Sequence, residues 1–190
     1  MTNLLRIDSD RRQRALVETS LGRFAIAATS RGLCSLSPLA FRSGSGRSSQ
    51  PIFGAGAPAT GESSLPPIEG EPEASEAQHL DAAAAALQAY CAGAPSPYAG
   101  SLDLAGSDFQ LRVWRRLLAI PFGGQVTYGA LARDLGVPGD ARAVGTAVAA
   151  NPIAILVPCH RVVGAGGTLR GYAWGVDFKR RLLAHELRIG

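Results

Sequence analysis

Pro158-Cys159-His160-Arg161 is the run in this sequence whose residue types could do chemistry. A thiolate is a strong, soft nucleophile, but a free thiol with a pKa of about 8.5 is mostly protonated at neutral pH. It needs a base or a cation beside it. Cys159 follows the apolar run Ile153–Val157 and a rigid proline, with His160 and Arg161 next. A lone cysteine is more commonly a buried structural residue, and Cys159 taken alone favours that reading. The basic neighbours and the elements below shift the balance toward an activated sulfur. Consecutive strand residues point to opposite faces, so His160 is expected to reach Cys159 through a water. A third group should orient the imidazole, and Glu186, at the end of the last predicted helix, is the candidate. Cys34 and Cys91 fit no such pattern and read as core fillers. With no C-x-x-C and only His79, His160 and His185 available, no metal site is expected.

Several elements must position this run. Ala15–Thr19, Gly22–Thr29 and Leu33–Leu36 read as a short β-meander punctuated by Leu21-Gly22 and Arg31-Gly32. From about 42 to 78 the composition turns to Gly, Ser, Pro and Glu, and no Arg or Lys occurs between Arg47 and Arg112. This predicts a long mobile loop. Leu80–Cys91 reads as a helix stopped by Gly93, and Ala94–Gly100 as a linker. Ser107-Asp108 can cap a helix over Phe109–Ala119, Thr127 one over Tyr128–Leu135, and Asp140 one over Ala141–Ala150. The last two, joined by a tight turn at Val137-Pro138-Gly139, suggest a helix-turn-helix. Ile153–Val157 has the length and apolarity of a buried strand. Val162–Trp174, rich in glycine, suggests a hairpin or wing. Asp177 can cap a final helix ending near His185.

The chain has 190 residues, 46% of them hydrophobic and 18% charged, a globular composition with enough apolar mass for a core. No apolar run approaches a membrane span, so no membrane partner is expected. The first residues carry arginines but no apolar h-region, which points to the cytoplasm. The net charge of +4 is uneven: residues 1–100 sum to −1 and residues 101–190 to +5. A basic C-terminal half suits a phosphate-binding surface, although a solvated basic face explains the charge equally well.

Ile155–Val163 (ILVPCHRVV) resembles the acceptor-cysteine motif of the O6-alkylguanine-DNA alkyltransferases. Pro121–Gly129 (PFGGQVTYG), Ala141–Gly145 (ARAVG), Asn151-Pro152, Gly171–Gly175 (GYAWG) and Leu182–Glu186 (LLAHE) resemble further segments of that family in order and spacing. The close match covers about 109–186; the N-terminal half matches loosely. The resemblance implies an α+β fold, with a small ribonuclease H-like sheet-plus-helix domain over 1–98. A mostly α winged helix-turn-helix domain over 105–190 would bind DNA and accept the alkyl group.

It also implies roles. Cys159 would accept the alkyl group from a guanine swung out of duplex DNA. His160 would act through water as the base that keeps the sulfur ionised, oriented by Glu186. Asn151 would order the turn beside the thiol. Tyr128 would protonate the departing guanine and crowd the phosphate that must rotate. Arg142 would fill the gap left in the duplex, with Ala141, Ala143 and Gly145 allowing close approach to the minor groove. Those small residues suit close helix packing equally well. Carbonyls of Cys159 and Val162, the N–H of Ala173, and Tyr172 would hold the base.

Members of the family often have serine or glycine where this chain has Ala173, and many have glycine where it has Trp174. The tryptophan resembles the bacterial adaptive-response branch and should narrow access for benzyl-sized adducts. That branch carries an extra cysteine-rich N-terminal domain which this chain is too short to contain. The expectation is a monomer acting once, without cofactor, on double-stranded DNA carrying O6-alkylguanine, with O4-methylthymine as a further substrate left open. Two rivals remain: a lesion-binding module that does no chemistry, and a thiol hydrolase using Cys159 and His160.

Overall fold

The computed structural model describes residues 5–9, 12–39, 74–94 and 98–188. Four antiparallel strands form a meander in the order β1 (Leu5–Ser9), β2 (Arg12–Thr19), β3 (Gly22–Thr29), β4 (Gly32–Pro38). The strands from β2 onward follow the expected meander. β1 was hidden by its charged residues and pairs with β2, Leu5 facing Leu16. Thr29 closes the last hairpin by accepting from Arg31 N at 3.1 Å. Gly32 there has φ 145°, and a Cβ would meet Ser101 O at 2.5 Å. Only glycine fits where β4 meets the next part of the chain.

Helix α1 (Glu76–Cys91) lies on β2, β3 and β4. Val17, Phe24, Ile26, Leu33 and Leu36 are buried with Leu80, Ala83, Ala84 and Leu87. Fully burying one such leucine contributes roughly 2 kcal/mol. The helix starts four residues before the expected Leu80. Ser75 accepts from Gln78 N at 3.3 Å, while Gln78 Oε1 accepts from Ser75 N at 2.6 Å. This capping box satisfies two helix-end donors inside a stretch whose composition suggests loop. The loop expected over 42–78 therefore ends by Ser75, and its part at 42–73 lies outside the described residues. Of the linker expected at 94–100, residues 95–97 also lie outside them.

The second half is helical. α2 (Asp108–Leu118), α3 (Tyr128–Asp134) and α4 (Ala141–Ala149) have Ser107, Thr127 and Asp140 as N-caps, as expected. Trp114 Nε1 donates to Ala147 O at 2.8 Å and ties α2 to α4. The free edge of β4 is covered by this half. Leu33 N donates to Ser101 O at 2.9 Å, Leu36 N to Pro152 O at 3.0 Å, and Ala154 N to Leu36 O at 2.8 Å. Covering an edge removes unpaired ladder groups. Here it also fixes the segment leading to Cys159.

Three expectations are corrected. Ile153–Val157 is buried apart from half-buried Leu156, but it is a turn, with Ile155 at φ 66°. The Asn151 side chain holds it. Nδ2 donates to Ile153 O and Val157 O at 3.0 and 2.9 Å, and Oδ1 accepts from Ile153 N at 3.0 Å. Val162–Trp174 forms no hairpin. Instead β6 (Val162–Val163) pairs in parallel with β5 (Val126–Thr127). The final helix, α5 (Val176–Leu187), is preceded by Gly175 at φ 93°, and Asp177 sits inside its first turn, paired with Arg180 rather than capping. The fold is mixed α+β, a small sheet beside a larger helical part. No described helix is long and apolar enough to cross a membrane.

Candidate active site

Cys159, His160 and Arg161 form one tight helical turn directly after Pro158. They are not successive strand residues, so the strict face alternation assumed from sequence does not apply. All three are buried. His160 Nε2 lies 2.6 Å from Glu186 Oε1. Glu186 is completely buried and collects donors from four places. Arg161 Nε donates to Oε2 at 3.0 Å and its second nitrogen to Oε1 at 3.1 Å. Tyr90 Oη donates to Oε1 at 2.9 Å, and Gly123 N donates to Oε2 at 3.0 Å. Burial pushes the Glu186 carboxyl up, but the bonds from His160 and Arg161 outweigh it and bring its pKa down to about 2.

That ionisation fixes the imidazole. A carboxylate only accepts, so Nε2 carries the proton. Burial lowers the His160 pKa, so the ring is held neutral and Nδ1 keeps its lone pair. Nδ1 is buried with no partner among the described residues. That lone pair is available to accept a proton.

The thiol is also neutral at rest. Burial pushes Cys159 up, opposed by the Asn151 side chain, by Tyr172 and by the Lys179 charge. A resting thiolate, expected from the basic neighbours, is not what this burial favours; sulfur and ring start neutral and need a proton transfer to become nucleophile and imidazolium. Tyr172 Oη lies 3.8 Å from Sγ. Burial raises the Tyr172 and Tyr128 phenols, which therefore stay protonated as donors. Cys159, only 1% exposed, lies at the wall of a narrow cleft that opens partly to solvent. Tyr128, Val148 and Ala149 of α4, and residues 171–174 line it. Tyr172 and Trp174 stack edge-to-face at 5.3 Å.

The structure thus brings together Cys159, His160, Glu186, Asn151, Tyr128, Tyr172, Ala173 and Trp174. It does not bring the Val162 side chain to the cleft. That side chain is wholly buried, and the Val162 carbonyl accepts from Lys179 Nζ at 2.6 Å. Arg142 projects from the exposed start of α4 and forms no ion pair among the described residues. Ala141, Ala143 and Gly145 lie half-buried on the same helix. A Cβ on Gly145 would make only ordinary contact with the Tyr128 ring, 3.9 Å away, so interior packing does not require glycine there.

Sequence reasoning missed Tyr90, Arg161 as a partner of Glu186, and Lys179. Lys179 is the only lysine in a chain with 19 basic residues, and that singularity was its available signal. It is fully buried, with Nζ 5.7 Å from the Tyr128 ring centre and 5.8 Å from that of Tyr172. Cys34 and Cys91 are half-buried free thiols raised by burial, away from the cleft lining. No cluster of three or more potential metal ligands occurs among the described residues.

Residues 108–188 match the family model described as 6-O-methylguanine DNA methyltransferase, DNA binding domain. A solved structure of Mycobacterium tuberculosis OGT in complex with DNA is 35% identical and superposes with a TM-score of 0.68 over 92% of each chain. The chain belongs to the O6-methylguanine-DNA methyltransferase family. Among its curated members, the methylated-DNA–protein-cysteine methyltransferase of Mycolicibacterium paratuberculosis is 56% identical over 102 residues, 54% of this chain and 62% of that relative. The one from Salmonella typhimurium is 60% identical over 81 residues, 43% of this chain and 47% of the relative. The chain therefore spans less than two thirds of these methyltransferases in aligned length. Tyr90 lies outside the span matched by the family model.

Proposed function

We propose that this protein repairs DNA directly, moving the alkyl group of an O6-alkylguanine in duplex DNA onto Cys159, once per molecule. The observation that carries the reading is the buried Nδ1, without a partner among the described residues, of a neutral His160 that follows a cleft-lining thiol in the chain and whose Nε2 is committed to Glu186.

The reaction balances as follows. The Cys159 proton passes through a water to Nδ1, and Sγ attacks the methyl carbon in line. The S–CH3 bond forms as the O6–CH3 bond breaks, and its electron pair goes to the guanine. Tyr128 supplies a proton to the departing base, because an unprotonated guanine anion leaves poorly. The proton on His160 then passes by way of water to the Tyr128 phenolate, which restores both groups. The products are S-methylcysteine and guanine. The thioether has no route back, so no turnover follows.

Tyr172, Lys179 and Asn151 favour the sulfur anion as it forms. The carbonyls of Cys159 and Val162 each accept one bond within the chain and retain a second lone pair for the guanine amino group. Arg142, exposed and unpaired, is suited to enter the duplex, with Ala141, Ala143 and Gly145 beside it against the minor groove. We assign the sheet and α1 to a ribonuclease H-like unit ending near residue 98. Residues from about 105 form a winged helix-turn-helix unit in a monomeric cytoplasmic protein.

Intact-protein mass spectrometry after incubation with O6-methylguanine duplex tests the reading. One methyl per chain at Cys159 supports it. Binding without mass gain supports a lesion-binding module, and repeated turnover supports a hydrolase.

A further inference from the structure

We propose that Tyr90, at the end of α1, is a positioning residue for the methyl transfer, setting how strongly Glu186 grips His160. Its hydroxyl donates to Glu186 Oε1 at 2.9 Å, the same oxygen that His160 Nε2 meets at 2.6 Å. With Arg161, which also donates to Oε1 at 3.1 Å, three groups draw on one oxygen, and each weakens what that oxygen gives the others.

The ring is locked from several directions. It stands edge-on to Phe122 with centroids 5.8 Å apart and to His160 at 6.2 Å, and tilted against His185 at 5.3 Å. Its backbone carbonyl is held by His185 Nε2 at 2.8 Å. Tyr90 is buried, and desolvation with the neighbouring Glu186 charge keeps the phenol protonated far above neutrality. It can only donate. A purely apolar anchor would be served by phenylalanine. The hydroxyl is buried at a cost that its bond to Glu186 offsets.

The proposal rests on alkyl transfer at Cys159, but its core, control of His160 through Glu186, can be measured without DNA. The groups facing this pair are Cys159 and Arg161 from the same turn, Lys179 and His185 from α5, Tyr172 from the cleft wall, and Tyr90 from α1. Among the described residues, only Tyr90 comes from the N-terminal half. Removing its hydroxyl leaves Oε1 richer in charge and the imidazolium better stabilised. His160 then titrates at higher pH, and less of it is neutral base at a given pH.

The test compares wild type with Tyr90→Phe, which keeps the ring. Nitrogen NMR follows the His160 ring through a pH series, and single-turnover methyl transfer from O6-methylguanine duplex is timed over the same series. Ala84→Gly, in the interior of α1, serves as a control that loosens the helix without touching Glu186. In Tyr90→Phe we expect the His160 titration to move up by about half a pH unit. We expect the acid limb of the transfer rate to follow it, with a rate loss of about 3-fold on that limb and less than about twofold at pH 7. Ala84→Gly should lower the melting temperature while leaving both midpoints in place. An unmoved His160 titration in Tyr90→Phe, or an equal shift in Ala84→Gly, overturns the positioning role. A wild type that gains no methyl overturns the transfer reading, while the NMR series still decides whether Tyr90 controls His160.

Discussion

The sheet with α1 and the helical half differ in what they bury. Among the described residues, the buried polar or charged side chains are His79 in the first region, and Ser101, Asn151, His160, Arg161, Lys179 and Glu186 in the second. The first is an apolar frame, closed by Val17, Phe24, Leu33, Leu36, Leu80 and Leu87. The second holds two cations, a carboxylate and an imidazole out of water. Replacing such groups by apolar ones of equal size is often neutral or stabilising. Their presence is therefore a cost accepted for chemistry, and the frame supplies the stability that absorbs it.

The strongest attempt to break this contrast is Cys159→Ala. Methyl transfer should vanish completely, with no methyl found on Cys34 or Cys91, while the melting temperature stays near that of wild type. Transfer to Cys34 would place chemistry in the frame. Next comes Glu186→Gln. Removing the carboxylate leaves Arg161 and His160 without their counter-charge, which should slow transfer at least about 100-fold and destabilise the fold by about 3 to 5 kcal/mol. Leu80→Ala sharpens the comparison. It should lose a similar 2 to 5 kcal/mol yet transfer at an unchanged rate per folded molecule, as denaturant melts beside single-turnover assays would reveal.

Acid adds a signature that the frame lacks. The folded-state pKa of Glu186, about 2, lies below its ordinary 4.5. Its contribution is complete above about pH 4.5 and is lost as pH falls toward 2. The stability gap between wild type and Glu186→Gln should therefore narrow steadily over that window, while the gap to Leu80→Ala should not. Arg142→Ala should weaken binding to duplex DNA by about tenfold without moving the melting temperature, measured by fluorescence anisotropy at fixed salt. The smallest effect is expected from Trp174→Gly. It should raise the rate for O6-benzylguanine relative to O6-methylguanine by a few fold, and equal rates for both adducts in the wild type would remove the steric argument.

Local rules made most of the fold legible. Ser107, Thr127 and Asp140 announce their helices because caps act within three residues. The meander is legible from its glycine turns. The Ile153–Val157 turn was misread because its conformation is imposed by Asn151 and by β4, neither of which appears in the apolar pattern. Ile155 accepts a backbone conformation unfavourable to a β-branched residue because those bonds over-determine it. Glu186 could be named as a partner of His160 because a base needs an orienting acid. Tyr90 could not, since it reaches the pair only through the packing of α1, 96 positions away from Glu186. Lys179 was visible as a singular residue, but nothing in its surroundings revealed that it points inward.

The two-residue ladder between β5 and β6 carries a consequence for the range of damage accepted. Val126 and Thr127 run directly into Tyr128, and Val162 and Val163 run directly out of the Cys159–Arg161 turn. Tyr128 and the Cys159 sulfur are thereby mounted on a common chassis, so in the proposed reaction their spacing would be the same whichever adduct arrived. Residues 171–174, which line the cleft outside that ladder, are on the proposed function the place where substitutions would alter tolerance for bulk without moving Tyr128 relative to the sulfur.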